Sequence, residues 1–134
     1  MTEEAGLVRD SLHFSIPSLP PSVNALYNVL FSLRRVELKP EVRFWKTQAK
    51  QFMPVWSKKL NEQSRLIIKF TFCSNWYFKN GKLRKLDLQN LEKCLIDAIA
   101  ERYGFGDECI FKKETLKVQF EKDRIECELW DFDS

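Results

Sequence analysis

The densest set of reactive groups in this chain lies between residues 85 and 108. Asp87, Gln89, Asn90 and Lys93 fall within two turns of a helical stretch, and Asp107 and Glu108 follow just past its far end. Carboxylates from two chain segments with a lysine nearby suit Mg²⁺ at a phosphodiester. Mg²⁺ takes hard oxygen ligands and keeps several waters. It polarises a phosphoryl oxygen and activates a bound water, while a lysine ammonium offsets charge on the phosphate or the leaving oxygen. The same residues also admit plainer roles. Asp87 is a good helix N-cap, its side chain bonding a backbone N–H near Asn90. Lys93, four residues from Gln89, reads as a solvated helix position, and Asp107-Glu108 after Gly106 reads as a turn. Asp97 lies on the helix flank, a surface or ion-pair residue.

Other chemistries are poorly served. The four cysteines, Cys73, Cys94, Cys109 and Cys127, form no C-x-x-C pair, and the only histidine, His13, is remote in sequence. Zinc spacing is therefore absent. Each cysteine sits in an apolar stretch and reads as a reduced core residue of an intracellular protein. No apolar run is long enough to cross a membrane, and Met1 to Asp10 do not read as a secretory signal.

The net charge of +3 decides little, but its distribution decides more. Residues 34–59 hold eight bases against Glu37 and Glu41, and residues 79–85 add Lys79, Lys82, Arg84 and Lys85 with no acid. The segment from Glu121 to Ser134 carries six acids and two bases. Segregation of this kind suits a polyanion on one face. Arg34, Arg35, Lys46, Lys50, Lys82, Arg84 and Lys85 are candidates to hold a DNA backbone without reading its sequence. Trp76, Tyr77 and Phe78 beside the second basic block either stack on unpaired bases or pack in the core.

The elements that would position these groups follow from periodicity. The 134 residues suffice for one domain with its own core, read as a loose acidic tail over 1–10 and a single unit over 11–134. Leu12, Phe14 and Ile16 alternate with polar residues, the period of a half-buried strand. Pro20-Pro21-Ser22-Val23-Asn24 forces an extended loop, and residues 26–38 read as a strand or hairpin. Val42, Trp45, Ala49, Phe52, Trp56 and Leu60 form a helical stripe opening at Pro40, which Pro54 should kink or divide. Residues 66–73 read as a strand and Asn80-Gly81 as a turn. Leu88, Leu91, Leu95 and Ile99 predict a helix to about Tyr103, with Gly104 as its C-terminal cap. A strand through Phe120 and a last one over 125–130 complete an α/β or α+β domain, two main helices on one small mixed sheet. If the strand after Glu108 pairs beside the one ending near Asn75, the helix is a crossover, and both acidic groups approach one sheet edge.

Several of these segments together resemble the RusA family of Holliday junction resolvases. Leu19-Pro20-Pro21-Ser22-Val23-Asn24 resembles the family's proline-rich N-terminal motif, and Asp87-Leu88-Gln89-Asn90-Leu91-Glu92-Lys93 its D-L-D-N-L-x-K signature. Asp97-Ala98-Ile99 falls where the family has D-A-L, and Gly104-Phe105-Gly106-Asp107-Glu108 where it has a glycine-aromatic stretch and an acidic pair. The resemblance covers roughly residues 12–120. It implies a small α/β homodimer that nicks four-way DNA junctions symmetrically with Mg²⁺ or Mn²⁺, often encoded by phages. It implies metal ligands at Asp87, Gln89, Asp107 and Glu108, a catalytic set of Asp87, Lys93 and Glu108, and DNA contacts that include Asn24 and Asn90. Gln89 stands where the signature has its second aspartate. An uncharged amide binds a divalent ion less strongly than a carboxylate, so Glu92 is a candidate replacement acid. The alternative expectation is a protein that binds branched DNA, or a protein partner, without cutting.

Overall fold

The computed structural model describes residues 11–21, 27–30 and 35–131. The expected tail over 1–10, Asn24, Arg34 and the side chain of Arg35 lie outside the described residues. In chain order the elements are β1 (Ser11–Ile16), β2 (Tyr27–Leu30), β3 (Arg35–Leu38), α1 (Pro40–Lys50), β4 (Leu66–Ser74), α2 (Leu88–Tyr103), β5 (Ile110–Gln119) and β6 (Arg124–Asp131). Strands β2 and β3 pair antiparallel, which agrees with the hairpin alternative for residues 26–38. The other four form one mixed sheet in the order β1-β6-β4-β5, with β4 and β5 parallel and the remaining pairs antiparallel. Two main helices on a four-stranded mixed sheet make this an α+β fold.

Strand register explains where the core sits. Ile16, Ile125 and Phe72 form one cross-strand row, Phe14, Cys127 and Phe70 the next, and Leu12, Leu129 and Ile68 a third. Side chains alternate across a strand, so these rows share a face, and that face is buried. Val42, Trp45 and Ala49 of α1 and Leu91, Cys94, Leu95, Ala98 and Ile99 of α2 join them in one cluster. Continued onto β5, the rows become Lys117, Thr115 and Lys113. The helix-covered face of the sheet thus turns polar at its last strand.

Helix α1 is shorter than its apolar stripe. It stops at Lys50, with Gln51 as C-cap, because Pro54 has no N–H to give the carbonyl of Lys50 and its ring would collide there. Trp56 and Leu60 therefore leave the helix, yet Trp56 is still buried, edge-on to Tyr103 at 6.1 Å between ring centroids. Phe52 is exposed. Helix α2 has the predicted bounds, ending at Gly104 in the left-handed region (φ 75°), which glycine adopts without strain. All four cysteines are free and buried. Among the described residues no helix is long and apolar enough to cross a membrane.

Candidate functional site

The first turn of α2 is set by Asp87. Its backbone is extended, and its carboxylate accepts a hydrogen bond from the Gln89 N–H at 2.9 Å. Capping is thus its observed role, one residue nearer than the sequence suggests. From there Gln89, Lys93 and Asp97 follow at four-residue steps, which stack side chains on one helix face. The opposite face is the apolar one in the core.

The polar face looks onto the polar stretch of β5. Between them runs a cleft of about 720 Å³. Gln89, Lys93 and Asp97 line it from α2, Lys113 and Thr115 from β5, and Asp107 from the turn joining them. Buried Glu92 fixes its floor, accepting from the Thr115 hydroxyl and pairing with the Lys113 ammonium at 3.3 Å. The acid considered as a replacement ligand is thereby engaged in joining α2 to β5. Burial raises the Asp97 carboxyl above the ordinary carboxylate range; Lys46 opposes this, Asp107 adds to it, and Lys93 opposes it. Asp97, read from sequence as a flank residue, is therefore in electrostatic reach of both Asp107 and Lys93.

The expected convergence of Asp87 with Glu108 does not occur within the chain. Because β4 and β5 are parallel, α2 must run back across the sheet. Its 16 residues span about 24 Å. Asp87 lies at the start of that span, where Lys117 donates to the Leu86 carbonyl at 2.9 Å, and Glu108 lies beyond its end. The crossover is real, but it holds the two acids apart rather than bringing them to one edge. Asp107 and Glu108 also diverge from each other. Glu108 folds back over Gly106, where the missing side chain leaves it room, and lines a separate cleft of about 400 Å³ with Glu101 and Glu62. Asn90 is exposed in the first turn and does not line the larger cleft.

The basic candidates divide. Lys46 is buried and hydrogen-bonded to Glu101, which also takes Lys50. Burial opposes ionisation of Glu101, but the two ammonium groups outweigh it and hold its carboxyl below the ordinary range. Arg84 donates to the Asn75 carbonyl at 2.7 Å and lies over Trp76. Lys82 and Lys85 are exposed. Trp76 is buried, whereas Tyr77 and Phe78 are exposed.

Two tests of chemistry apply to the cleft. Among the described residues no three His, Cys, Asp or Glu side chains converge to hold a metal. Asp97 and Asp107 nevertheless meet the donor type of Mg²⁺, which binds through one or two carboxylates and completes its shell with water and phosphate. Thiol chemistry is disfavoured beside the cleft, since burial pushes Cys94 up to about 12. Lys113 and Thr115 are site residues that motif reading passed over, and Asp97, matched within D-A-I, was read as a flank residue rather than as part of the site. The first two carried a signal, because Lys113, Thr115 and Lys117 occupy the alternation phase that is apolar in the neighbouring strands. No family model matches the chain, and no curated protein matches it.

Proposed function

We propose that this protein binds branched DNA and nicks it by Mg²⁺-dependent phosphodiester hydrolysis, in the manner of the RusA resolvases, and that the α2–β5 cleft is where it does so. One observation carries the reading: Gln89, Lys93, Asp97 and Asp107 all line a single cleft. They come from the three segments D-L-Q-N-L-E-K, D-A-I and G-F-G-D-E on which the resemblance rests. Asp97 and Asp107 would hold Mg²⁺, or Mn²⁺ in its place, with the Gln89 amide oxygen as a neutral donor. When bound, the ion supplies Lewis-acid charge and makes a bound water easier to deprotonate. Lys93 offsets negative charge on the phosphate from the same cleft. Asp87 acts on Gln89 by holding the first helical turn.

The outer edge of β5, last in the sheet, and the exposed Leu116 and Val118 on the face of that strand away from the helices support a homodimer, since an uncovered edge is a template for a second chain. Buried, unpaired cysteines are compatible with the reducing, intracellular setting of a phage or prophage enzyme. A second reading, binding without cleavage, draws support from the uncharged Gln89 and from the lack of a third converging acid among the described residues.

A synthetic four-way junction incubated with Mg²⁺ or Mn²⁺ separates the two. Paired symmetric nicks, lost in Asp97→Asn and in Asp107→Asn but retained in Glu108→Gln, are expected. Asp87→Asn keeps the cap, so its loss of nicking with the fold intact would move the metal to the helix N-terminus. Tight, salt-sensitive binding with no nicks would select the second reading, and no junction binding at all would overturn both.

A further inference from the structure

The second basic block and the aromatic residues before it, residues 76–85 together, fold into an anchored finger that the cleft does not use. Gly81 donates its N–H to the Phe78 carbonyl at 2.9 Å, and Phe78 donates to the Lys82 carbonyl at 2.8 Å. A three-residue turn of this kind needs a left-handed residue at its end, and Gly81 supplies it with φ 86°. Tyr77 and Leu83 face each other as a bridged pair below the turn. The base is anchored through Trp76. Its backbone N–H donates to Gln119, its indole N–H donates to the Val118 carbonyl at 2.9 Å, and Lys117 lies 4.7 Å from the ring centroid.

The finger shows solvent a cluster of apolar side chains. Tyr77, Phe78 and Leu83 are 47%, 55% and 62% exposed, and grouped exposure of this kind marks a contact surface more than scattered exposure does. Around them stand Lys79, Lys82, Arg84 and Lys85, with no acid between Asn75 and Leu86. A recess of about 400 Å³ at one side is lined by Phe78, Leu83 and Leu86 together with Lys82, Arg84 and Lys85. Apolar walls with a cationic rim match a nucleotide, whose base is flat and apolar on its face and whose phosphate is anionic. Fully paired DNA offers phosphates and base edges but keeps its base faces stacked, whereas an unpaired strand offers both the base faces and the phosphates.

We infer that this finger is a single-strand contact, with Phe78 stacking on an unpaired DNA base and Lys79, Lys82 and Lys85 holding the adjoining phosphates. The inference rests on the DNA-binding reading above and adds what selects a branch over plain duplex. The hydrogen-bonded turn and its Trp76 anchor help, because a pre-ordered hairpin loses little freedom on binding.

The test is binding alone, in EDTA, so that cleavage plays no part. Fluorescence anisotropy compares a forked DNA with unpaired arms against a fully paired duplex of the same sequence. The wild-type chain should prefer the fork. Phe78→Ala should weaken fork binding by about 5- to 100-fold and leave duplex binding unchanged, while Phe78→Trp should retain the preference. The triple change of Lys79, Lys82 and Lys85 to Ala should weaken both and flatten the salt dependence by about 2 in log–log slope. These side chains are exposed, so the variants fold, which thermal melts verify. Equal wild-type affinity for fork and duplex would overturn the inference, as would a Phe78→Ala loss of the same size on both. Junction nicking that survives in Phe78→Ala with an undiminished fork preference would reject the finger and leave the nuclease reading standing.

Discussion

Two basic regions that look alike in sequence are put to opposite uses by the fold. In α1, Lys46 and Lys50 converge on Glu101, and farther along the first block Lys58 reaches Asp131 at 3.5 Å. In the finger, no acid pairs with Lys79, Lys82 or Lys85 among the described residues. The first set is turned inward to join α1, α2 and β6, and the second is presented outward on an anchored turn. A charge run therefore says nothing about availability until its partners are known. Here those partners lie about 50 or more residues away in the chain.

The contrast predicts a clean exchange of phenotypes. Lys46→Met removes a buried cation and leaves Glu101 with a poorer partner. It should destabilise the domain by about 1.5–3 kcal/mol, read as a fall in Tm, while the folded fraction binds DNA with unchanged salt dependence. Replacing the finger lysines should do the reverse, changing stability by no more than about 0.5 kcal/mol, with Tm nearly unmoved. A Lys46→Met protein with native Tm and weakened DNA binding would place α1 on the DNA side after all.

The fold was legible where local chemistry and tertiary demand agree. Asp87, Gly104 and the stripe between them set α2 by capping and periodicity alone. The strands from Leu12 to Ile16 and from Ile125 to Trp130 were equally plain, because one face of each is buried and the other is not. The stripe through Trp56 and Leu60 misled. Both are apolar and correctly spaced, but the core reaches Trp56 through an irregular segment, and Pro54 forbids the helix that the spacing implies. The site was legible in composition and not in arrangement. Gln89, Lys93 and Asp107 were nominated together with Asp87 and Glu108, and the sequence holds no direct record that a parallel pair of strands sends the ends of α2 to opposite ends of the sheet. Nor does neighbour order say that Asp107 and Glu108 line different clefts.

A smaller effect distinguishes the two ends of the α1–α2 contact by pH. The Glu101 carboxyl is held low, so its pairing contributes stability above the ordinary carboxylate range. That stability is lost as pH falls through that range to the folded value. Glu101 is about half exposed, with 47% of its side chain accessible, so solvent screening limits the effect to under about 1 kcal/mol. Denaturant melts across a pH series should show Glu101→Gln with a shallower acid limb than the wild type. Identical limbs would mean that Lys46 and Lys50 draw nothing from the pair.

The smallest expected effect carries the opposite sign and lies in the cleft. Asp97 is raised above its unfolded value by burial and by Asp107, against Lys46 and Lys93. A carboxyl raised on folding lowers stability as pH rises through the window between its unfolded and folded values, and the penalty persists at neutral pH. Asp97→Asn removes that penalty. It should therefore stabilise the protein at neutral pH by a few tenths of a kcal/mol, an advantage that fades as the solution is acidified below the ordinary carboxylate range. Substitutions at packed positions of a fold usually destabilise, whereas an acid held at the expense of stability is characteristic of a group kept for binding or catalysis. A rise in Tm accompanied by loss of junction nicking would unite the electrostatic and functional readings of Asp97 in one variant. A fall in Tm would instead make Asp97 a structural partner of Lys46 and return the cleft to the packing of α2 on β5.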